Sequence, residues 1–156
     1  MYIRHDEPID QPARAVRREL LEPPEQWLPA SVTSPLGDRR FLVRVGFHAA
    51  AARISKQVEL TVGMPEAQGD WLVVPVAWQA TGPDQLFPVL DGRLTVQPVG
   101  PHSATIWLGA TYQPPLGGLG RELDDLAMHR VATATIQDFV RGVAARLAEL
   151  AAARPA

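Results

Sequence analysis

The chain has 156 residues, 46% of them apolar and 21% charged, with a net charge of −2. That is the length of one domain with material for a core, and its charge balance gives no electrostatic case for nucleic acid. Cysteine is absent, which excludes disulfides, thiolate nucleophiles and cysteine metal sites.

All but one of the 15 lysines and arginines are arginine, a bias of composition rather than a chemical signal. The chain does not open on the apolar core of a signal peptide, and no apolar run approaches transmembrane length. The expectation is a cytoplasmic protein without a membrane span, either a monomer or a homodimer.

Residues 2–9 read as a first strand, although Arg4, His5, Asp6 and Glu7 disturb its alternation. Asp10 stands before Pro12 as a helix cap with proline in the first turn. Ala13 to Leu21 then forms a short helix with Val16, Leu20 and Leu21 inward, ended by Pro23 and Pro24. Pro24 to Leu28 gives a second helical turn.

From about residue 39 the apolar period becomes two. Five stretches alternate: 41–47, 54–62, 72–80, 90–98 and 104–112. Such alternation predicts antiparallel strands with one buried face. Turn-like breaks at Gly63–Gly69, Thr81–Asp84 and Gly100-Pro101 are short, so a meander is the economical topology. Pro75 sits inside a strand, which fits an edge or a bulge, and a bulge would reverse the facing of Trp78.

After Pro114-Pro115 the chain from Gly118 to Ala152 carries one apolar stripe at helical spacing. Asp125, Leu126, His129, Ala132, Ile136, Phe139, Val140, Val143, Leu147 and Leu150 share that face. The opposite face holds Glu122, Arg130, Gln137, Arg141, Arg146 and Glu149. This is an amphipathic helix about 50 Å long. Five or six strands make a sheet roughly 25–30 Å wide, whereas one helix spans only about 10–12 Å. The gap is filled either by a hydrophobic guest or by large side chains such as Phe47, Trp78, Phe87, Tyr112 and Phe139.

The order of strand, two short helices, antiparallel strands and a long C-terminal helix resembles the START-like or SRPBCC superfamily, which includes polyketide cyclases and plant pathogenesis-related proteins. The resemblance is sharpest over residues 86–94 (LFPVLDGRL), 112–120 (YQPPLGGLG) and 128–132 (MHRVA). These stretches resemble those of poorly characterised bacterial members. It implies one domain over residues 1–156 with an α+β helix-grip fold. A curved antiparallel sheet of about six or seven strands would wrap the long helix, with two short helices after the first strand. It further implies a cavity for a small hydrophobic or aromatic molecule. Val45, Leu60, Val76, Trp78, Leu94 and Ile106 are the candidate lining from the early strands, with Leu108, Tyr112, His129, Thr133 and Ile136 completing it.

Three function classes follow. The first is ligand binding without required chemistry. The second is a cyclase or aromatase type of enzyme, in which His129 is the general base, Asp125 orients it and Tyr112 donates to a substrate oxygen. The structural alternative for Asp125 and His129 is a hydrogen-bonded anchor of the helix. The third class is an interaction module with a solid core and Trp71 and Trp107 on the outer face. The glycines after Pro115 lack the lysine of a phosphate loop and read as a hinge. The four histidines lack ligand spacing, so no metal or cofactor is expected. Arg39, Arg40, Arg44 and Arg53 form a modest basic patch that reads as a solvated face.

Overall fold

The computed structural model describes residues 1–29, 32–49, 52–81, 89–113 and 121–155. Their order is β1 (Tyr2–Ile9), α1 (Ala13–Leu20), α2 (Pro24–Trp27), β2 (Val32–Gly37), β3 (Arg40–Ala49), β4 (Ala52–Val62), β5 (Glu66–Gln68), β6 (Trp71–Ala80), β7 (Val89–Gly100), β8 (Ser103–Gln113) and α3 (Arg121–Ala153). One antiparallel sheet runs β1-β8-β7-β6-β4-β3-β2, with β5 paired to β6. This is the expected meander, extended to eight strands and flanked by β1 beside the last of them. The architecture is an α+β helix grip.

The registers arrange the inner face in ranks. Phe41, Leu60, Trp78, Leu90 and Tyr112 stand side by side across five strands. The next rank is Val62, Val76, Gly92, Ala110 and Ile3. Val74, Leu94 and Leu108 follow, then Leu72, Val96 and Ile106. All of these except Gly92 belong to the core's buried hydrophobic residues, as period-two patterning over a half-buried sheet requires.

Pro75 is tolerated for a local reason. Val62 pairs with Val76 and Glu66 pairs with Val73, so residues 63–65 hold one residue more than β6 does opposite them. The Pro75 carbonyl accepts the Gly63 N–H at 2.7 Å. The missing proline N–H therefore falls where the ladder passes from β4 to β5. The irregularity lies on the neighbouring strands. The β6 register with β7 is continuous from Leu72 to Trp78, and Trp78 keeps its inward facing at 3% exposure.

Several local expectations are corrected. The first helix is capped by the extended backbone of Pro12 without a side-chain bond, so Asp10 is not its cap. Leu21 follows the last helical turn and is exposed, as is Leu126 on α3. Arg39 has φ of 57° in the β2–β3 turn. Its guanidinium donates to the carbonyls of Val62 at 2.9 Å and Gly63 at 2.7 Å, which holds a conformation that a branched side chain resists. Arg40 pairs with Glu59. These two arginines therefore belong to the packing of the hairpins rather than to a free basic patch.

The backbone of α3 comes close to β1 and β8 at one side of the sheet and to β3 at the other, and α1 and α2 flank it. Over the middle strands the contact is made by long side chains: Trp78 and Phe139 meet edge to face, 5.5 Å between centroids. The fully buried Glu19 of α1 pairs with Arg18 at 2.9 Å and with Arg154 at 3.1 Å, tying α1 to the end of α3. A Cβ built on Gly142 would lie 2.7 Å from the Pro29 Cβ, so the α2 connection sits directly against the helix.

Two outcomes are expected. Alanine in place of a helical glycine normally stabilises by about 1 kcal/mol. Gly142→Ala will instead lower the melting temperature, because the rigid Pro29 ring must move; a rise would contradict this close approach. The second concerns Glu7, which accepts from His5 Nε2 at 2.6 Å and from Arg141 Nε at 3.1 Å. The His5 hydrogen bond, then Arg141, hold its carboxyl below the usual range. A lowered native pKa stabilises above the unfolded value and is lost as pH falls through the native one. Glu7→Gln will therefore flatten the loss of stability between about pH 5 and pH 2, read as urea midpoints against pH.

Candidate functional site

The polar centre of the inner face is Tyr112 on β8. It ends the aromatic rank of Phe41, Trp78 and Tyr112 and is fully buried. Its backbone is held by Met1: the Tyr112 N–H donates to the Met1 carbonyl at 2.9 Å and the Met1 amino group donates to the Tyr112 carbonyl at 3.1 Å. Its hydroxyl donates to Met1 Sδ at 3.0 Å and lies 3.1 Å from His129 Nδ1. The two rings are 6.0 Å apart between centroids, tilted by 44°. His129 is half-buried. A strand residue and a helix residue 17 positions apart thus share one hydrogen bond beneath the first part of α3.

Helical spacing extends this centre along the same stripe. Thr133 lies one turn beyond His129, and its hydroxyl oxygen is buried with no partner among the described residues. Ile136 and Phe139 continue the buried face toward Trp78. Leu60, Trp78, Tyr112, His129, Thr133 and Ile136 therefore belong to one end of the interior. Val76 stands one rank away, and Leu94 and Leu108 one rank farther. Ile106 lies six residues from Tyr112, about 20 Å along β8, toward the end that α1 approaches. Val45 and Asp125 have side chains outside the described residues, as do Phe47, Arg53 and Glu122; Phe87 and residues 114–120, with their glycines, lie outside as well.

Sequence reasoning does not find Met1, Leu90 or Phe41 as neighbours of this centre. Leu90 and Phe41 are joined to Tyr112 by strand register, which no short-range pattern reports. Met1 carries no signal at all. On the outer face Trp107 is covered by Arg4, whose guanidinium carbon is 4.1 Å from the ring centroid, and its Nε1 donates to Gln97 at 3.3 Å. Trp71 is 44% exposed. Among the described residues no group of His, Asp or Glu could hold a metal, and no helix is long and apolar enough to cross a membrane.

Tyr112→Phe removes the hydroxyl from both contacts and leaves His129 Nδ1 without it. Loss of such a buried bond costs about 1–2 kcal/mol. The expected result is a lower unfolding free energy of that size together with a changed imidazole tautomer signal for His129 in nitrogen NMR. An unchanged signal would mean that the pair does not form.

No protein-family model matches the chain, and no curated protein matches it in sequence. Solved structures match its fold over nearly its whole length. A protein from Thermus thermophilus is 20% identical, covering 99% of this chain and 100% of its own, with a TM-score of 0.58. Norcoclaurine synthase from Thalictrum flavum, in complex with dopamine and hydroxybenzaldehyde, is 12% identical over 100% of this chain and 88% of its own, with a TM-score of 0.59. The ZhuI aromatase/cyclase from Streptomyces sp. R1128 is 12% identical over 99% and 94%, with a TM-score of 0.52. Over nearly the whole chain these neighbours share its fold, an antiparallel sheet gripped around one long helix.

Proposed function

We propose that the protein binds a small, largely apolar molecule, aromatic in the favoured case, between the sheet and the first half of α3. The observation that carries this reading is the Tyr112–His129 bond. A buried hydroxyl and a half-buried imidazole meet at the end of a rank otherwise made of Phe41, Leu60, Trp78 and Leu90. Ligand sites combine an apolar lining with a few polar groups that orient the guest. The helix supports this reading, because its backbone approaches the two sides of the sheet and reaches the middle through Phe139. Two structural neighbours are enzymes, and one was solved with two aromatic molecules bound.

A cyclase-like enzyme is the second reading, and the same contact bears on it. The Nδ1 atom that an orienting carboxylate would hold faces the Tyr112 hydroxyl. Tyr112 then takes the orienting part at Nδ1, and Nε2 is the nitrogen left to act as base. The half-covered Trp107 weakens the case for a purely outer-face module.

Naphthalene titrated into the purified full chain, followed by tryptophan fluorescence, is expected to bind saturably with one site. Ile136→Trp, which fills space beside Thr133, will weaken that binding at least about ten-fold while leaving the circular dichroism unchanged; overpacking of this kind costs about 1–3 kcal/mol. Native mass spectrometry with extracted lipids and aromatic metabolites will identify a carried molecule. If no apolar aromatic binds saturably and nothing is retained, the binding reading is wrong.

A further inference from the structure

We propose that an open groove along α1 docks an acidic segment of a partner protein, with carboxylates on Arg14 and Arg17 and an apolar side chain on Leu21. The groove has a volume of about 490 Å³ and is lined by Arg14, Arg17, Arg18, Leu21 and Glu22. Their spacing is that of one helix face, a stripe about 10 Å long from Arg14 to Leu21. Ala15, Val16, Glu19 and Leu20 form the buried side of the same helix. The groove therefore lies on the side of α1 turned away from the core.

The positive charge of this stripe is not consumed by the fold. Arg18 and Arg154 between them neutralise Glu19 and Glu22: Arg18 meets Glu19 at 2.9 Å, and Arg154 meets both carboxylates at 3.1 Å. Arg14 and Arg17 are the surplus. Arg17 donates to the Asp70 carbonyl at 3.2 Å. A neutral acceptor leaves its charge intact while restricting the side chain, which lowers the entropic cost of meeting an anion. Arg14 is exposed and has no partner among the described residues. It also stands in the first turn of α1, where a cation opposes the helix dipole. Neither an ion pair nor the helix accounts for it. Elsewhere on the surface Arg4, Arg40, Arg141 and Arg146 each meet a carboxylate.

The stripe is polarised along its length, and that polarity selects the occupant. Arg14 and Arg17 occupy one end. The other end holds Leu21, 59% exposed, beside Glu22. A uniform polyanion such as a phosphate backbone would meet Glu22 as a like charge and make no use of Leu21. A peptide that changes from acidic to apolar along its length matches both ends. The net charge of −2 on the whole chain leaves attraction to such a segment local to α1.

Fluorescence anisotropy on the full chain, with a fluorescein-labelled peptide made of a run of glutamates ending in leucines, tests this docking. Binding should be saturable and weaken as salt rises, and the same peptide with glutamine for glutamate should bind at least about ten-fold more weakly. Arg14→Gln should weaken binding about three-fold, and Arg14→Gln combined with Arg17→Gln about ten-fold, the range for one and two exposed ion pairs. Leu21→Ser should weaken it about three-fold. Arg130→Gln, at an exposed arginine of α3, should leave it unchanged. The melting temperature of Arg14→Gln should equal that of wild type, because this side chain holds nothing in the fold. Failure of the glutamate peptide to bind overturns the proposal, as does an unchanged affinity in the double variant or an equal loss in Arg130→Gln. Displacement of the peptide by inorganic phosphate at matched ionic strength overturns it in favour of a small anion. Sedimentation with phosphatidylglycerol vesicles, or self-association, that the double variant abolishes would assign the groove to a lipid surface or to a second copy, and overturns it too.

Discussion

A helix about 10–12 Å across is the cover for a sheet whose seven-strand path is about 29 Å wide, and the arrangement of the interior follows from that disproportion. The backbone of α3 is braced at the sides, on β1 and β8 and on β3, with α1 and α2 along its flanks. Between those supports the distance to β6 is crossed by an indole and a phenyl ring. Hydrophobic burial is thereby concentrated in large side chains at the centre and small ones at the points of close approach. Gly142 against Pro29 is one of these.

The same geometry decides where polarity is tolerated. An unpaired hydroxyl or imidazole inside an apolar layer is costly, and the chain answers by pairing Tyr112 with His129 across the strand and helix. It places that pair at one end of the rank, beside the edge strand β1, where His129 is half-buried rather than sealed. The opposite end of the interior is capped by α1 through Glu19 and Arg154. One end is therefore locked by a buried ionic tie, and the other carries the Tyr112–His129 pair.

Much of the architecture is legible because strands with one buried face write their period into the sequence. The five alternating stretches correspond to β3, β4, β6, β7 and β8, and the apolar stripe to α3. The strands that escape such a reading are those without alternation. β2 carries Pro35 and two register shifts, and β5 has three exposed residues after Pro65. Leu126 and Leu21 fit an apolar pattern yet face water, since a pattern names a side of an element and not what covers it. Tyr112 and His129 each stand out in the sequence, but their bond depends on how far α3 slides along β8, which is a tertiary quantity. The facing of Trp78 is decided only by the location of the extra residue, at 63–65 rather than in β6.

The break at Pro75 has a bearing on how the protein behaves in crowded solution. Because β4 yields there to a strand of three residues, the rim beside the upper half of β6 is short and carries Glu66. β2, the terminal strand on that side, is kinked by Pro35, and β1 on the other carries Arg4, Asp6 and Pro8. Short, bent or charged borders are poor templates for a foreign strand. A wide sheet rich in valine and leucine is thus kept from growing by addition of neighbouring molecules.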